Sequence, residues 1–183
     1  GATFSTIRQT RVISLLAGGI LLSLQNQVNR ALAYIVLIET GYSLLAIGLI
    51  DQGGGEAFAL SILPRALAYW QWAYTLSSIQ QIMPEVDGSF PSLRGLFNRL
   101  PFHSMSLILS LLILLGLPGF GLFPAKRLLW NSSAGLTYNY TPLIALGLAG
   151  MALFTLRLSH TLLMTDSETS SFTGFVNPKE YVW

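Results

Sequence analysis

Long apolar runs separated by short polar ones dominate the chain. Charge-poor stretches extend from Val12 to Leu24, Ala31 to Ile50, Ala57 to Met83, Ser104 to about Tyr138, and Pro142 to Met164. A helix crosses a bilayer in about 20 residues. The second and fifth stretches fit that length directly, and the first reaches it only with polar flanks such as Thr10 and Gln25. The pattern predicts an all-α integral membrane protein with about five transmembrane helices. The helices would occupy residues 12–164, between a polar N-terminal segment over 1–11 and a polar tail over 165–183 that drapes over the membrane surface or a neighbour.

Two stretches carry irregularities. In LPRALAY of the third, Pro64 is expected to kink the helix, and Arg65 must face other protein or snorkel. The fourth stretch is too long for one straight crossing. Gly116, Pro118, Gly119, Gly121 and Pro124 supply a break, which predicts two half-helices around an irregular centre. Unwound backbone at membrane depth is tolerated only where protein or a water-filled cavity surrounds it. LPGFGLFPAKRLLW, residues 117–130, should therefore be internal.

Composition agrees with the pattern. Of 183 residues, 52% are hydrophobic and 10% charged, against about 25% charged in soluble domains, and the mean hydropathy is +0.57. Too few charges remain to coat a water-facing surface. The absence of cysteine excludes disulfides, thiolate metal sites, iron–sulfur ligation and a cysteine nucleophile. The net charge of +2 is scattered and gives no nucleic-acid footprint. Loops with Arg30, Arg94 and Arg99, together with Lys179 of the tail, fall on one side, and Arg8, Arg11 and the turn DQGGGE on the other. The positive-inside bias places the first group in the cytoplasm or its organellar equivalent. The chain opens on Gly1 without the order of a secretory signal, so a processed, split or truncated product is expected.

Few residues are candidates for chemistry. Lys126 follows the break, where half-helix ends bind ions or hydrate a cavity; a desolvated lysine there is a candidate proton carrier. The alternative is that Lys126 and Arg127 mark the membrane surface after a span ending near Pro124. Glu39 lies mid-span, about nine residues from Arg30 and too far for an internal pair at roughly 1.5 Å per residue, so its partner must come from another segment. An intramembrane acid is a functional candidate by default; a protonated acid bonded to a neighbour is the alternative. His103, His160 and Arg65 are candidate relays, with interface hydrogen bonding the competing role for the histidines. Two lone histidines make no metal site. The aromatic set AYWQWAY, 68–74, reads as packing or an interface belt rather than a quinone pocket. There is no phosphate-cradling loop, dinucleotide fingerprint or hydrolytic triad.

Two stretches resemble a known family. QNQVNRALAYIVLIETGY is similar to a loop and helix of the proton-antiporter-like membrane subunits of respiratory complex I, patterned Q-T-D-x-K-R-x-L-A-Y-S-S-x-x-H-x-G-Y, through Gln25, Arg30, Leu32, Ala33, Tyr34, Gly41 and Tyr42. SLRGLFNRLPFHSMSLILSLLILLGLPGFGLFPAK resembles the later D-x-x-G-L-x-R-R-x-P and G-I-P-P-x-x-G-F-x-x-K through Gly95, Leu96, Arg99, Pro101, Gly116, Pro118, Phe123 and Lys126. ALFTLRL is similar to that family's Y-Y-Y-L-R-V helix. The likeness covers roughly residues 10 to 160 and is strongest to the C-terminal half of the member called subunit N in bacteria and subunit 2 in mitochondria.

The resemblance implies a partial antiporter-like bundle in the membrane arm of an NADH:quinone oxidoreductase. Lys126 would belong to its chain of protonatable groups, with Glu39 as a compensating charge. The chain itself would bind no cofactor, while NADH, FMN, iron–sulfur clusters and quinone are expected elsewhere in the assembly. Partners would be other complex I membrane subunits, a separate chain supplying the N-terminal half of the module, and lipids. The membrane would be an energy-transducing one, the mitochondrial inner membrane favoured over a bacterial plasma membrane. The chain departs from the family pattern at Asn29, where lysine is usual, at Glu39, where histidine is frequent, and at Ile35 and Val36, where serines are paired; an altered relay is expected. Competing readings are a multisubunit sodium/proton antiporter module and a non-pumping structural subunit.

Overall fold

The computed structural model describes residues 14–134 and 141–164. The N-terminal segment with Arg8 and Arg11, the tail with Lys179, and residues 135–140 lie outside the described residues. Those described form an all-helical bundle without a β-strand. The elements are α1 (Ser14–Leu24), α2 (Val28–Gly48), a 3-10 turn (Ile50–Gln52), α3 (Gly54–Ile82), α4 (Leu96–Arg99), α5 (Pro101–Leu115), α6 (Phe123–Ala134) and α7 (Thr141–Leu163).

Apolar side chains at helical spacing supply the core, with Ile35 and Ile38 of α2, Trp72 of α3, Leu107 and Leu111 of α5 and Phe154 of α7 all fully buried. Leu63, Leu67, Trp70 and Tyr74 of α3 and Leu156 of α7 are exposed. So continuous an outward apolar surface suits lipid or protein contact, not water. By length and apolarity α2 and α7 are each long enough to cross a bilayer alone. Gly19 and Gly150 bring α1 and α7 into close backbone contact; a Cβ on Gly150 would lie 2.4 Å from the Gly19 carbonyl oxygen.

Among the described residues the loop charges divide between the two ends of the bundle. At one, the Val28 amide donates to the Gly88 carbonyl at 2.9 Å and the Phe90 amide to the Asn26 carbonyl at 3.0 Å. Arg157 of α7 reaches the same end, donating to the Ser23 carbonyl and the Asn26 side chain. Arg30, Arg94 and Arg99 lie on these segments. At the other end, the turn between α2 and α3 carries Asp51 and Glu56, and Gly53 lies beside Ser132 of α6.

The expected break is present, with a corrected boundary. α5 stops at Gly116, whose φ of 71° is left-handed and whose amide donates to the Leu112 and Ile113 carbonyls. An irregular turn follows, and α6 starts at Phe123. Pro124 therefore lies in the first turn of α6 rather than in the break, a position where its missing N–H leaves no helical bond unmade. The half-helices of 15 and 12 residues are about 22 and 18 Å long. Helix α3 runs through Pro64, which packs against Gly121 of the break.

Candidate functional site: a buried charge cluster at the helix break

Pro118 decides what the end of α5 lacks. In an unbroken helix the Leu114 carbonyl would accept from residue 118, and proline has no N–H to give. Lys126, on the first turn of α6, folds back across the break and donates from Nζ to that carbonyl. The ammonium thus caps the negative end of the α5 dipole. Its aliphatic stem lies over Gly116, where a Cβ would come within 2.7 Å of the lysine Cδ. The glycine serves both the left-handed turn and the passage of the side chain.

The same Nζ stands 2.9 Å from Oε1 of Glu39, which projects from the middle of α2 and is 2% exposed. On the carboxylate's other oxygen, Arg65 Nε of α3 lies 3.4 Å from Oε2. Arg65 also donates to Ser43 Oγ at 2.6 Å and to Ser61 Oγ. One acid from α2 is therefore clamped between cations from α3 and α6. Such charges are tolerated at membrane depth when paired with one another and with backbone carbonyls. Removing one member of a buried pair typically costs about 3–5 kcal/mol, because a charge is left alone.

Tyr42 completes the cluster. It follows Glu39 by three residues, so both share one face of α2, and Lys126 Nζ sits 5.0 Å from its ring centroid. A desolvated cation over an aromatic face gains roughly 2 kcal/mol. The Tyr42 hydroxyl donates to the Ile144 carbonyl of α7 at 2.9 Å. Beside the charges is a cavity of about 20 Å³, lined by Glu39, Ser43, Ser61, Arg65 and Lys126 among others. That is room for about one water molecule.

Sequence reasoning singled out Lys126, Glu39 and Arg65, and the structure brings these three together. It places His103 in the first turn of α5, half-buried, and His160 exposed in the last turn of α7, both away from the cluster. Arg65 differs chemically from the other two. A guanidinium stays protonated in proteins, so in this setting it is a fixed charge rather than a relay. Asn29 is exposed in the first turn of α2 beside Gly88, ten residues and thus about 15 Å from Glu39. That departure from the family pattern lies outside the cluster. Trp72 is core, while Trp70 and Tyr74 stack outward with centroids 5.7 Å apart. Among the described residues no three of His, Asp and Glu gather as a metal site would require.

Tyr42, Ser43, Ser61 and the Leu114 carbonyl were missed as site members. Ser61 precedes Arg65 by four and Tyr42 follows Glu39 by three, so helical spacing marked both. The carbonyl was marked by Pro118.

No protein-family model matches the chain. Over 145 residues it is 30% identical to NADH-quinone oxidoreductase subunit N of Campylobacter lari, covering 76% of this chain and 31% of the relative. The same subunit of Shewanella woodyi is 32% identical over 111 residues, covering 58% and 24%. NAD(P)H-quinone oxidoreductase subunit 5 of Carpenteria californica, a chloroplast protein, is 28% identical over 154 residues, covering 78% and 20%. In fold, the chain matches one from respiratory complex I of Thermus thermophilus with bound aureothin. That match has a TM-score of 0.68 at 22% identity and covers 90% of this chain and 37% of the other. The chain spans about a third or less of the length of these relatives. They are bacterial and chloroplast proteins, which gives the expected preference for a mitochondrion no support. The described residues are all helical, two of their helices are long and apolar enough to cross a membrane, and the chain is similar to part of NADH-quinone oxidoreductase subunit N and of NAD(P)H-quinone oxidoreductase subunit 5.

Proposed function

We propose that this chain forms the rear part of an antiporter-like module in the membrane arm of an NADH:quinone oxidoreductase and takes part in proton translocation there. The observation that carries the reading is the contact between Lys126 and Glu39 at the interrupted helix. An amine and a carboxylate 2.9 Å apart are within reach for direct proton transfer. Arg65 holds its charge throughout, so Glu39 keeps a cationic neighbour when Lys126 gives up its proton.

In this reading the bundle crosses the membrane five times, through α1, α2, α3, α5 and α6 jointly, and α7. The end with Arg30, Arg94 and Arg99 faces the cytoplasm or its equivalent. Electron transfer elsewhere in the assembly shifts the protonation of Lys126, and alternating access to the two sides turns that shift into net transport. Having no cysteine, the chain offers no thiolate for iron–sulfur ligation; FMN, the clusters and quinone belong to other parts of the complex. Its partners are the neighbouring membrane subunits, the remainder of the module that the relatives carry, and lipids.

The test is Lys126→Met in the assembled complex reconstituted into vesicles. Protons pumped per electron should fall, because the positioned proton-transfer group is gone, while the complex still assembles. Undiminished pumping overturns the proposal. One observation favours a second reading, a structural subunit that moves no protons: the acid is already met by two cations and the cavity is small. That reading expects Lys126→Met to lower thermal stability and leave pumping intact.

A further inference from the structure

We infer that Tyr42 is a positioning residue that lets α7 set where the Lys126 ammonium lies. Its consequence for pumping rests on the proton-transfer reading above, whereas the coupling itself rests on geometry alone. The aromatic ring does two jobs at opposite ends. Its face lies 5.0 Å from Nζ. Its hydroxyl is tied to the Ile144 carbonyl of α7, 102 residues away in sequence. Burial at 3% exposure leaves the ring little freedom to turn independently of that tie.

Gly147 makes the tie geometrically possible. A Cβ on it would lie 2.5 Å from the Tyr42 hydroxyl oxygen and 3.2 Å from Cζ, so a methyl group there would push the phenol away from Ile144. Ile38, on the preceding turn of α2, also meets that position, its Cγ2 standing 3.3 Å from the same hypothetical atom. Because α2 and α7 are this close around Gly147, a displacement of α7 moves the phenol, and the phenol moves against the lysine. The ammonium is shared between the Leu114 carbonyl and the Glu39 carboxylate, so a small displacement of the ring redistributes it between two partners on different helices. Coupling of this kind needs a continuous physical path, and Ile144 to Tyr42 to Lys126 is one.

The experiment uses the assembled complex in its membrane with Tyr42→Phe, Gly147→Ala and the double variant. Reductive methylation of the Lys126 amine by formaldehyde, with cyanoborohydride as the hydride donor, is followed by mass spectrometry. In the parent the amine, 9% exposed, should react slowly. Losing the hydroxyl tether should raise its rate about fivefold, the equivalent of one net hydrogen bond. Gly147→Ala should do the same while leaving residue 42 a tyrosine, because the added methyl group displaces its phenol. The double variant should match Tyr42→Phe alone, because both changes act on one contact. Phe154→Leu, a core change elsewhere on α7, should leave the rate near that of the parent. Additive effects in the double variant, a parental rate in both single variants, or an equal increase with Phe154→Leu would overturn the inference and assign Tyr42 to packing alone. If Tyr42→Phe does not assemble, Gly147→Ala against Phe154→Leu still decides. Lys126→Met with undiminished pumping would remove the functional reading while leaving this coupling measurable.

Discussion

Lys126 lies directly against Gly116, its Cδ where a side chain at 116 would have to begin. The two residues are ten apart, yet the break folds one onto the other. Position 116 thus controls whether the ammonium can enter the cluster.

Gly116→Ala is expected to expel the lysine from its place beside Glu39. The φ of 71° adds about 1–2 kcal/mol of backbone strain for any residue with a Cβ. A lowered Tm of the assembled complex, together with reduced proton pumping, is the expected outcome. Parental values of both would show that the stem has another route.

Replacing Glu39 with Gln leaves Lys126 and Arg65 facing each other without an acid between them. A loss of about 3–5 kcal/mol in stability is expected. Lys126→Met costs less, since Arg65 still answers the carboxylate. The double variant should be more stable than the sum of the two losses implies, with a coupling of about 1–3 kcal/mol. Denaturant titration of the four proteins in detergent measures it, and simple additivity would contradict the pairing.

Arg65→Lys keeps the charge and loses the fork. A single ammonium cannot reach Glu39, Ser43 and Ser61 together as the guanidinium does. The same titration should show a loss of about 1.5–3 kcal/mol, the range for a hydrogen bond to a charged group.

The loop hydrogen-bonded to the junction of α1 and α2 should be acid-sensitive. The Asp87 carboxylate accepts from the Ser89 amide at 2.9 Å and from Ser92 Oγ at 2.8 Å. These bonds to Ser89 and Ser92 hold its pKa down, from 3.8 to about 2. Because the folded value lies below the unfolded one, its contribution is complete above about pH 4 and is lost as the pH falls through about 2. Amide hydrogen exchange at Ser89, corrected for intrinsic rate, should quicken over that window. With Asp87→Asn the window should disappear.

The break was legible because glycine and proline act locally: Gly116 ends a helix by its own backbone, and Pro118 withholds an amide from Leu114. Pro124 misled because the same residue that stops a helix also fits its first turn. Three charges of both signs in apolar runs showed that Glu39 needed a partner. They did not show that Arg65 and Lys126 would be the partners, since separations of 26 and 87 residues are closed only by packing. Nor did the sequence show that His103 would lie away from the Glu39 cluster, because an imidazole at a helix start looks the same whether that helix end is remote from the cluster or beside it. The short α4 passed unnoticed, being a single turn set by Gly95 and ended before Pro101.

An interrupted helix in oil has a raw edge, and here a single amine seals it. Should Lys126 withdraw from Leu114, that buried carbonyl would lack a donor until another filled the gap, and in so narrow a space only water is small enough. The lysine is therefore a stopper as well as a charge: withdrawing it from Leu114 should admit water, so that uncapping the helix and freeing the cation would be one movement.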